Sequence, residues 1–435
     1  MMQRTRRTFI RQAGSAIAGA AALTAASHSS RALSANNRIV VGIIGCGGQG
    51  GNLGRTFAAQ PDVKVAYACD ADSSRAAAAR MALKADRAVA DLRKVLDDKA
   101  VDAVVIATPD HWHAPAAILA CEAAKHVYVE KCCAHNIREG RLQIEAARRH
   151  RRVVQVGTQS RSCAGIQKGI ELLRKGAIGE VLVAKAWNSQ RRANIGHQKP
   201  SQPPPGFDYD LYVGPAEMIP YQPNRCHGGW HWCYNFGTGD AGNDGVHDID
   251  VARWGLGVDV HPSLAAGHGT KLFFDDDQEF PDTQHVVFEY PGDGRIGHKR
   301  TLVYEQRIWS PYVQEGHENG NAFYGTKGMM ILGKKSGWQL YGERNKLIAQ
   351  ESYQLQLEPH VRDFIEAIKA NRRPNADIEI SHLSGTLSHL ANIVARLSRQ
   401  VHFDRKTEQI VGDEEGSRLV RRKYRENHWA VPKGV

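Results

Sequence analysis

Gly45-Cys46-Gly47-Gly48-Gln49-Gly50 fits the spacing G-x-G-x-x-G, in which each glycine has its own task. Gly45 permits a tight turn, Gly47 lets the backbone approach a pyrophosphate, and Gly50 lets a helix pack closely on a strand. Cys46, Gly48 and Gln49 complete a loop that delivers negative charge to a helix N-terminus. Asp70 lies 20 residues beyond Gly50. A carboxylate there accepts hydrogen bonds from a ribose diol and repels a 2′-phosphate, so NAD is favoured over NADP, with Arg75 as the nearby counter-signal. Two further segments carry reactive side chains, Thr108-Pro109-Asp110-His111-Trp112-His113 and Glu130-Lys131-Cys132-Cys133. A dinucleotide that accepts hydride from an alcohol needs a base for the hydroxyl proton. Lys131 and the distant His247 are the candidates.

These residues must be positioned by alternating strands and helices. Arg38 to Ile44 reads as a buried parallel strand running into the glycines, followed by a helical stretch to about Gln60 and a second strand, Val63 to Cys69. Helical patterns over Ser73–Lys84 and Leu92–Asp97 precede a strand Val101–Ala107, a helix Trp112–Ala124 and a strand His126–Val129. This order predicts a doubly wound parallel sheet across residues 36–157. Ligands bind beyond the carboxyl ends of such strands, where the Thr108 and Glu130 segments fall.

Together with Gln155-Val156-Gly157-Thr158-Gln159 and Gly242-Asn243-Asp244-Gly245-Val246-His247-Asp248-Ile249-Asp250, these segments resemble the Gfo/Idh/MocA oxidoreductases over nearly the whole chain. Pro281-Asp282-Thr283, Phe323-Tyr324-Gly325-Thr326-Lys327-Gly328 and His389-Leu390-Ala391-Asn392-Ile393 are similar to a secreted bacterial branch. The resemblance implies a Rossmann domain followed by an α+β domain, residues 158–435, with a large, mainly antiparallel sheet and C-terminal helices that pack back on the body. It places Thr108, Pro109, Asp110, His111, His113, Glu130, Lys131 and Gln159 beside the cofactor, and an oligomer, dimer or tetramer, across the open sheet face. Two departures stand out. The family usually has Glu-Lys-Pro with the proline often cis, where Cys132 follows Lys131; inositol dehydrogenases carry Asp four residues before the histidine, where this chain has Asn243.

Beside an oxidised nicotinamide, burial and like charge should lower the pKa of Lys131 so that its neutral form accepts a proton. Histidine titrates near neutrality and can accept or relay that proton, the role the family assigns to the residue matching His247. We expect the two to share the base role, with Glu130 and Asn243 near the substrate and Asp250, one helical turn after His247, bonding a sugar hydroxyl.

The proline-rich Gln198–Gly214 reads as an extended crossing segment leading to Tyr221, Arg225, Trp230, His231, Trp232 and Tyr234. Aromatic faces and polar edges suit a sugar ring, Arg225, Trp230 and His231 especially, and equally suit a core. Alternating runs at Leu264–Phe274, His285–Tyr290 and Arg300–Gln306 predict the antiparallel strands. His111 and His113 have H-x-H spacing without a completing ligand set, so no metal site is expected.

The 435 residues suffice for two or three domains, and 42% hydrophobic with 24% charged residues is globular usage. The net charge of +11 includes Arg4, Arg6, Arg7, Arg11 and Arg31 of an N-terminal arm without acids, and the remainder is too modest for a nucleic-acid partner. Arg6-Arg7-Thr8-Phe9-Ile10-Arg11 and the mild apolar run Ala13–Ala26 read as a twin-arginine signal peptide over residues 1–35. That run is shorter than a stable membrane span. Export of a folded, cofactor-loaded protein by the twin-arginine translocase to the periplasm is the expectation. NAD is scarce there, which implies a tightly held, recycled cofactor. The eight cysteines form no C-x-x-C pair, and several read as small buried hydrophobes. The function expected is an NAD-dependent oxidoreductase acting on a hydroxyl of a sugar, glycoside or cyclitol, with C3 of a glycoside one expected position. Two alternatives are a glycoside hydrolase or lyase working by transient oxidation and elimination, and a dinucleotide-binding sugar sensor without turnover.

Overall fold

The computed structural model describes residues 38–310 and 312–435; the signal-peptide reading lies outside them. Residues Val40–Val435 form one compact unit built on two sheets. The first contains β1 (Ile39–Ile44), β2 (Val63–Cys69), β3 (Arg87–Val89), β4 (Ala103–Ile106), β5 (His126–Val129) and β6 (Val154–Val156), all parallel, in the order 3-2-1-4-5-6. The chain reverses direction across the sheet between β1 and β4, which opens a ligand crevice at their carboxyl ends. β1 and β4 are almost wholly apolar and buried, as a strand covered by helices on both faces must be.

The second sheet has ten strands in the order 14-13-12-11-7-10-9-8-15-16. Its members are β7 (Val181–Asn188), β8 (Leu264–Thr270), β9 (Thr283–Tyr290), β10 (Arg300–Arg307), β11 (Asn319–Gly325), β12 (Gly328–Gly333), β13 (Gly337–Tyr341), β14 (Leu347–Glu351), β15 (Val401–Asp404) and β16 (Gln409–Ile410). Only the β7–β10 pairing is parallel. The alternating runs expected at Leu264, His285 and Arg300 are β8, β9 and β10. On β10 the alternation buries Leu302, Tyr304 and Gln306 toward the helices and turns Thr301, Val303 and Glu305 the other way. The helices Val246–Leu256 and Ile378–Leu397 cover that inner face, contributing Ile249, Leu387 and Leu390 to its core.

The two halves are tied by polar contacts. Val156 N–H donates to Ala376 O, Gln155 Nε2 donates to His360 O, and Arg148 pairs with Asp377. The C-terminal segment returns to the first sheet's helices, where Arg422 Nε donates to Glu139 Oε1 at 2.8 Å. No helix among the described residues is long and apolar enough to cross a membrane.

Candidate active site

The glycine turn has the geometry its spacing requires. Gly45 sits at φ +86°, and a Cβ there would lie 2.6 Å from the Ala107 carbonyl; one on Gly50 would lie 1.8 Å from Gly45 O. Gly48 opens on free space, and the helix Gly48–Ala58 starts there with no side-chain cap, leaving first-turn N–H groups for a ligand. Asp70 lines the same crevice, its Oδ2 accepting from Cys46 N–H at 2.7 Å and its Oδ1 from Asp72 N–H at 2.9 Å. The crevice, of about 370 Å³, is lined by Gly45, Gly47, Gln49, Asp70, Thr108 and Pro109 together with Leu211, Tyr212, His227, Trp230, His231 and Trp429. A turn of bare glycines, uncapped helix N–H groups and a carboxylate at the strand end match the parts of a dinucleotide.

At the end of β5, Glu130 is buried and accepts from Gln49 Nε2 at 3.0 Å and Gln159 Nε2 at 3.3 Å. Burial raises its pKa, against the pull of Lys131 and Gln49. Gly157 is needed opposite, because a Cβ there would strike the Glu130 carboxylate at 2.5 Å. The following peptide bond, Lys131–Cys132, is cis. Lys131 Nζ donates to Asn243 Oδ1 at 3.1 Å, bridging the halves.

Asn243 belongs to a π-helical turn, Ala241–Gly245, that runs into the helix Val246–Leu256. His247 is buried at its start, and its Nδ1 has no hydrogen-bond partner among the described residues. Burial, then the positive charges of Lys334 and Lys131, push its pKa well below the usual value, opposed by Asp244. The imidazole is therefore neutral at neutral pH.

Asp240, Asp244 and Asp248, four residues apart, carry a network absent from the expected site. Asp240 accepts from Asn188 Nδ2 at 2.7 Å and Arg192 Nη2 at 2.8 Å. Asp244 pairs with Lys334 and accepts from Gln190, with Arg192 at 3.3 Å. Its burial raises the pKa, yet Lys334, His247 and Arg192 hold it below the carboxylate range. Asp248 is pushed up to about 8, by burial first and by Asp244 and Asp240, against Lys334. The four-residue spacing of the aspartates was available as a signal; Lys334, in a hairpin turn after β12, offered none.

Several expected contacts are corrected. Asp250 is fully buried and turned away: both its oxygens accept from Arg161, at 2.7 and 2.8 Å, and Oδ1 accepts from Ser384 Oγ at 2.6 Å. A residue three positions after His247 lies on the core side here, so Asp250 neutralises a buried guanidinium instead of bonding a sugar. Asp110, His111 and His113 are likewise buried off the crevice wall. Asp110 accepts from Thr238 Oγ1, His111 bonds Tyr212 O at 2.8 Å, and His113 bridges Thr108 O and Cys132 O at 2.8 and 2.6 Å. They lock the two segments that present Thr108 and Lys131, since a histidine with both nitrogens on carbonyls has no capacity left for a ligand. Arg225 faces Glu279 at 3.7 Å and lines a different cavity. Trp230 and His231, stacked at 3.6 Å, do line the crevice, whereas Trp232 is core beside Phe274 and Ile308.

Residues 39–158 match the family model described as "Oxidoreductase family, NAD-binding Rossmann fold", and residues 184–294 with 313–431 match "Oxidoreductase family, C-terminal alpha/beta domain". The chain belongs to the Gfo/Idh/MocA oxidoreductase family. It is 30% identical over 251 residues to inositol 2-dehydrogenase 2 of Saccharopolyspora erythraea, covering 57% of this chain and 62% of that protein. It is 24% identical over 277 residues to scyllo-inositol 2-dehydrogenase (NAD(+)) of Bacillus subtilis, covering 63% and 67%. An oxidoreductase domain protein from Kribbella flavida shares the fold, with a TM-score of 0.66, 17% identity, and coverage of 84% of this chain and 99% of that one. In this Gfo/Idh/MocA protein the Rossmann half is thus an NAD-binding domain, and the network around Asn243 meets it through Lys131 at the end of β5.

Proposed function

We propose that the protein oxidises a secondary hydroxyl of a cyclitol, sugar or glycoside, with NAD held in the Gly45–Asp70 crevice. The observation that carries this reading is the Lys131–Asn243 contact, which brings the ammonium to the turn four residues before His247. Bound NAD supplies the hydride acceptor. Lys131 orients the hydroxyl and stabilises its developing charge, while the neutral imidazole of His247, with Nδ1 unused, takes or relays the proton. Asp244 and Lys334 set the imidazole's charge state. The curated relatives named inositol 2-dehydrogenase and scyllo-inositol 2-dehydrogenase support the substrate class.

We also infer that NAD is tightly held, because Tyr212, Trp230 and Trp429 line the crevice together with the glycine turn. The test is to incubate the dialysed protein with cyclitols, pyranoses and glycosides, with and without added NAD, and follow NADH and sugar products. Stoichiometric NADH and a keto product support the reading. Free sugar released without net NADH would replace it with redox-assisted hydrolysis, and no turnover on any substrate, despite bound dinucleotide, with a sensor.

A further inference from the structure

A second cavity, of about 770 Å³, shares no lining residue with the NAD crevice. Its volume lies in the range of small-molecule sites. It adjoins the turn carrying the catalytic lysine: His389 on its wall has Nε2 3.8 Å from Cys132 Sγ. The wall is strongly cationic. Among its residues Arg396, Arg421 and Lys423 form no ion pair among the described residues, and Arg396 lies over the Tyr234 ring at 4.4 Å. Of the two acids on the same wall, Glu279 is faced by Arg225 and Glu217 is exposed to solvent.

Just behind the wall, Arg422 Nη1 and His135 Nδ1 are buried with no hydrogen-bond partner among the described residues. The Arg422 side chain is 8% exposed. A buried polar atom left unpaired is destabilising, so these two point to a missing partner. Their chemistry specifies it. Arg422 spends Nε on Glu139 and Nη2 on His111 O, leaving Nη1 as a donor. His135 Nε2 lies 2.9 Å from Tyr234 O, a carbonyl that can only accept, so Nε2 carries the proton. Burial, then Arg422, hold this ring's pKa well below its usual value. A neutral ring protonated at Nε2 presents Nδ1 as an acceptor.

We propose that this cavity is a binding site, separate from the catalytic crevice, for a small organic anion bearing hydroxyl groups, a carboxylate or phosphate monoester on a polyol frame. The acid group meets Arg396 and Arg421 at the wall, and small side-chain shifts bring Arg422 Nη1 to it as a donor and His135 Nδ1 to a hydroxyl as an acceptor. This inference does not depend on which alcohol the active site oxidises.

Titration calorimetry on the full NAD-loaded chain tests it, with D-gluconate and glucose 6-phosphate as probes and D-glucose and sulfate as controls. At least one probe should bind saturably, one per chain, about tenfold or more tighter than both controls, and comparison of the two probes identifies the acid group. Arg421→Gln, at an exposed position, and Arg396→Gln should each weaken that binding severalfold while leaving NADH affinity unchanged. Three results would overturn the proposal: neither probe exceeding the controls, binding undiminished in both variants, or probe binding abolished by excess NADH.

Discussion

Asn243 stands between opposite charges, accepting from Lys131 Nζ at 3.1 Å through Oδ1 and donating through Nδ2 to Asp240 Oδ1 at 3.2 Å. Only the amide nitrogen can donate and only the amide oxygen can accept from an ammonium, so the network fixes its orientation. An aspartate here would keep the lysine contact and set a second carboxylate against Asp240. The departure from the inositol dehydrogenase pattern thus has a local cause: Asp240 already supplies the negative charge.

Asn243→Asp should therefore destabilise the protein by about 1–3 kcal/mol, the scale of a broken buried hydrogen bond next to a like charge. Urea unfolding measures it. Adding Asp240→Asn should recover a substantial part of the loss; a double variant no more stable than Asn243→Asp would mean the two side chains are not coupled.

Lys131→Met should lower kcat about 10²–10³-fold, the range for losing a donor that stabilises developing charge. NADH affinity should stay within a few-fold, because the glycine turn and Asp70 do not rest on the lysine. A variant with full kcat and a raised KM would reduce Lys131 to a binding residue.

Among the described residues Asp70 makes no side-chain contact that substitutes for a ribose diol; its oxygens accept the backbone N–H groups of Cys46 in the glycine turn and of Asp72. Asp70→Ser should shift the ratio of kcat/KM for NADP against NAD upward by about 10–100-fold, since a charged hydrogen bond and a phosphate repulsion are both lost. Arg75, on the crevice wall, then becomes a phosphate partner. Arg75→Ala in that background should remove most of the gain, and an unchanged ratio in Asp70→Ser would deny Asp70 its role.

What was legible in the sequence followed from short-range rules. The glycine spacing, the strand ending at Asp70 and the alternation on β8, β9 and β10 are fixed by backbone periodicity, so their places could be read directly. Lys131 and His247 were chosen by residue type and family pattern. The failures share a cause: a side chain's direction depends on what packs against it. Asp250 was read from helical spacing alone, and spacing cannot reveal that Arg161, 89 residues earlier, waits in the core. His111 and His113 looked like ligand groups because the carbonyls that occupy them, Tyr212 O and Cys132 O, carry no sequence signal. Lys334 was invisible for the same reason: only the register of β11 with β12 brings its hairpin to Asp244.

Lys334 should leave a kinetic signature. It lowers the proton affinity of His247 directly, and its pairing with Asp244 blunts the one carboxylate that works the other way. Removing it in Lys334→Met raises the imidazole pKa on both counts. If His247 must be unprotonated to accept the substrate proton, the acid limb of kcat/KM moves to higher pH. Lys334→Gln should do the same with less disturbance of packing, and a limb that stays put or moves to lower pH in both variants would remove His247 from the base role.

Glu408 sets the acid stability. Its Oε1 accepts from Arg141 Nη2 at 2.5 Å, His261 Nε2 at 2.8 Å and His382 Nε2 at 2.9 Å, so one carboxylate oxygen joins a Rossmann helix, the lead-in to β8, the helix Ile378–Leu397 and the β15–β16 turn. Burial raises its pKa, but the bonds from His261, His382 and Arg141 hold it well below the ordinary 4.5. A carboxylate depressed in the folded state contributes stability above its unfolded pKa and loses it as pH falls through the folded value. Burial also depresses His382 from 6.5, so the unfolded chain takes up that proton first and the two effects have the same sign. Stability should therefore begin to fall below about pH 6.5 and fall more steeply below about 4.5. Glu408→Gln keeps the shape and removes the charge. It should cost about 2–4 kcal/mol at neutral pH, less than a fully buried pair because Arg141 is one-third exposed, and flatten the steep acid segment. Chemical denaturation across pH measures both, and a variant that loses stability equally at every pH would show that Glu408 contributes packing alone.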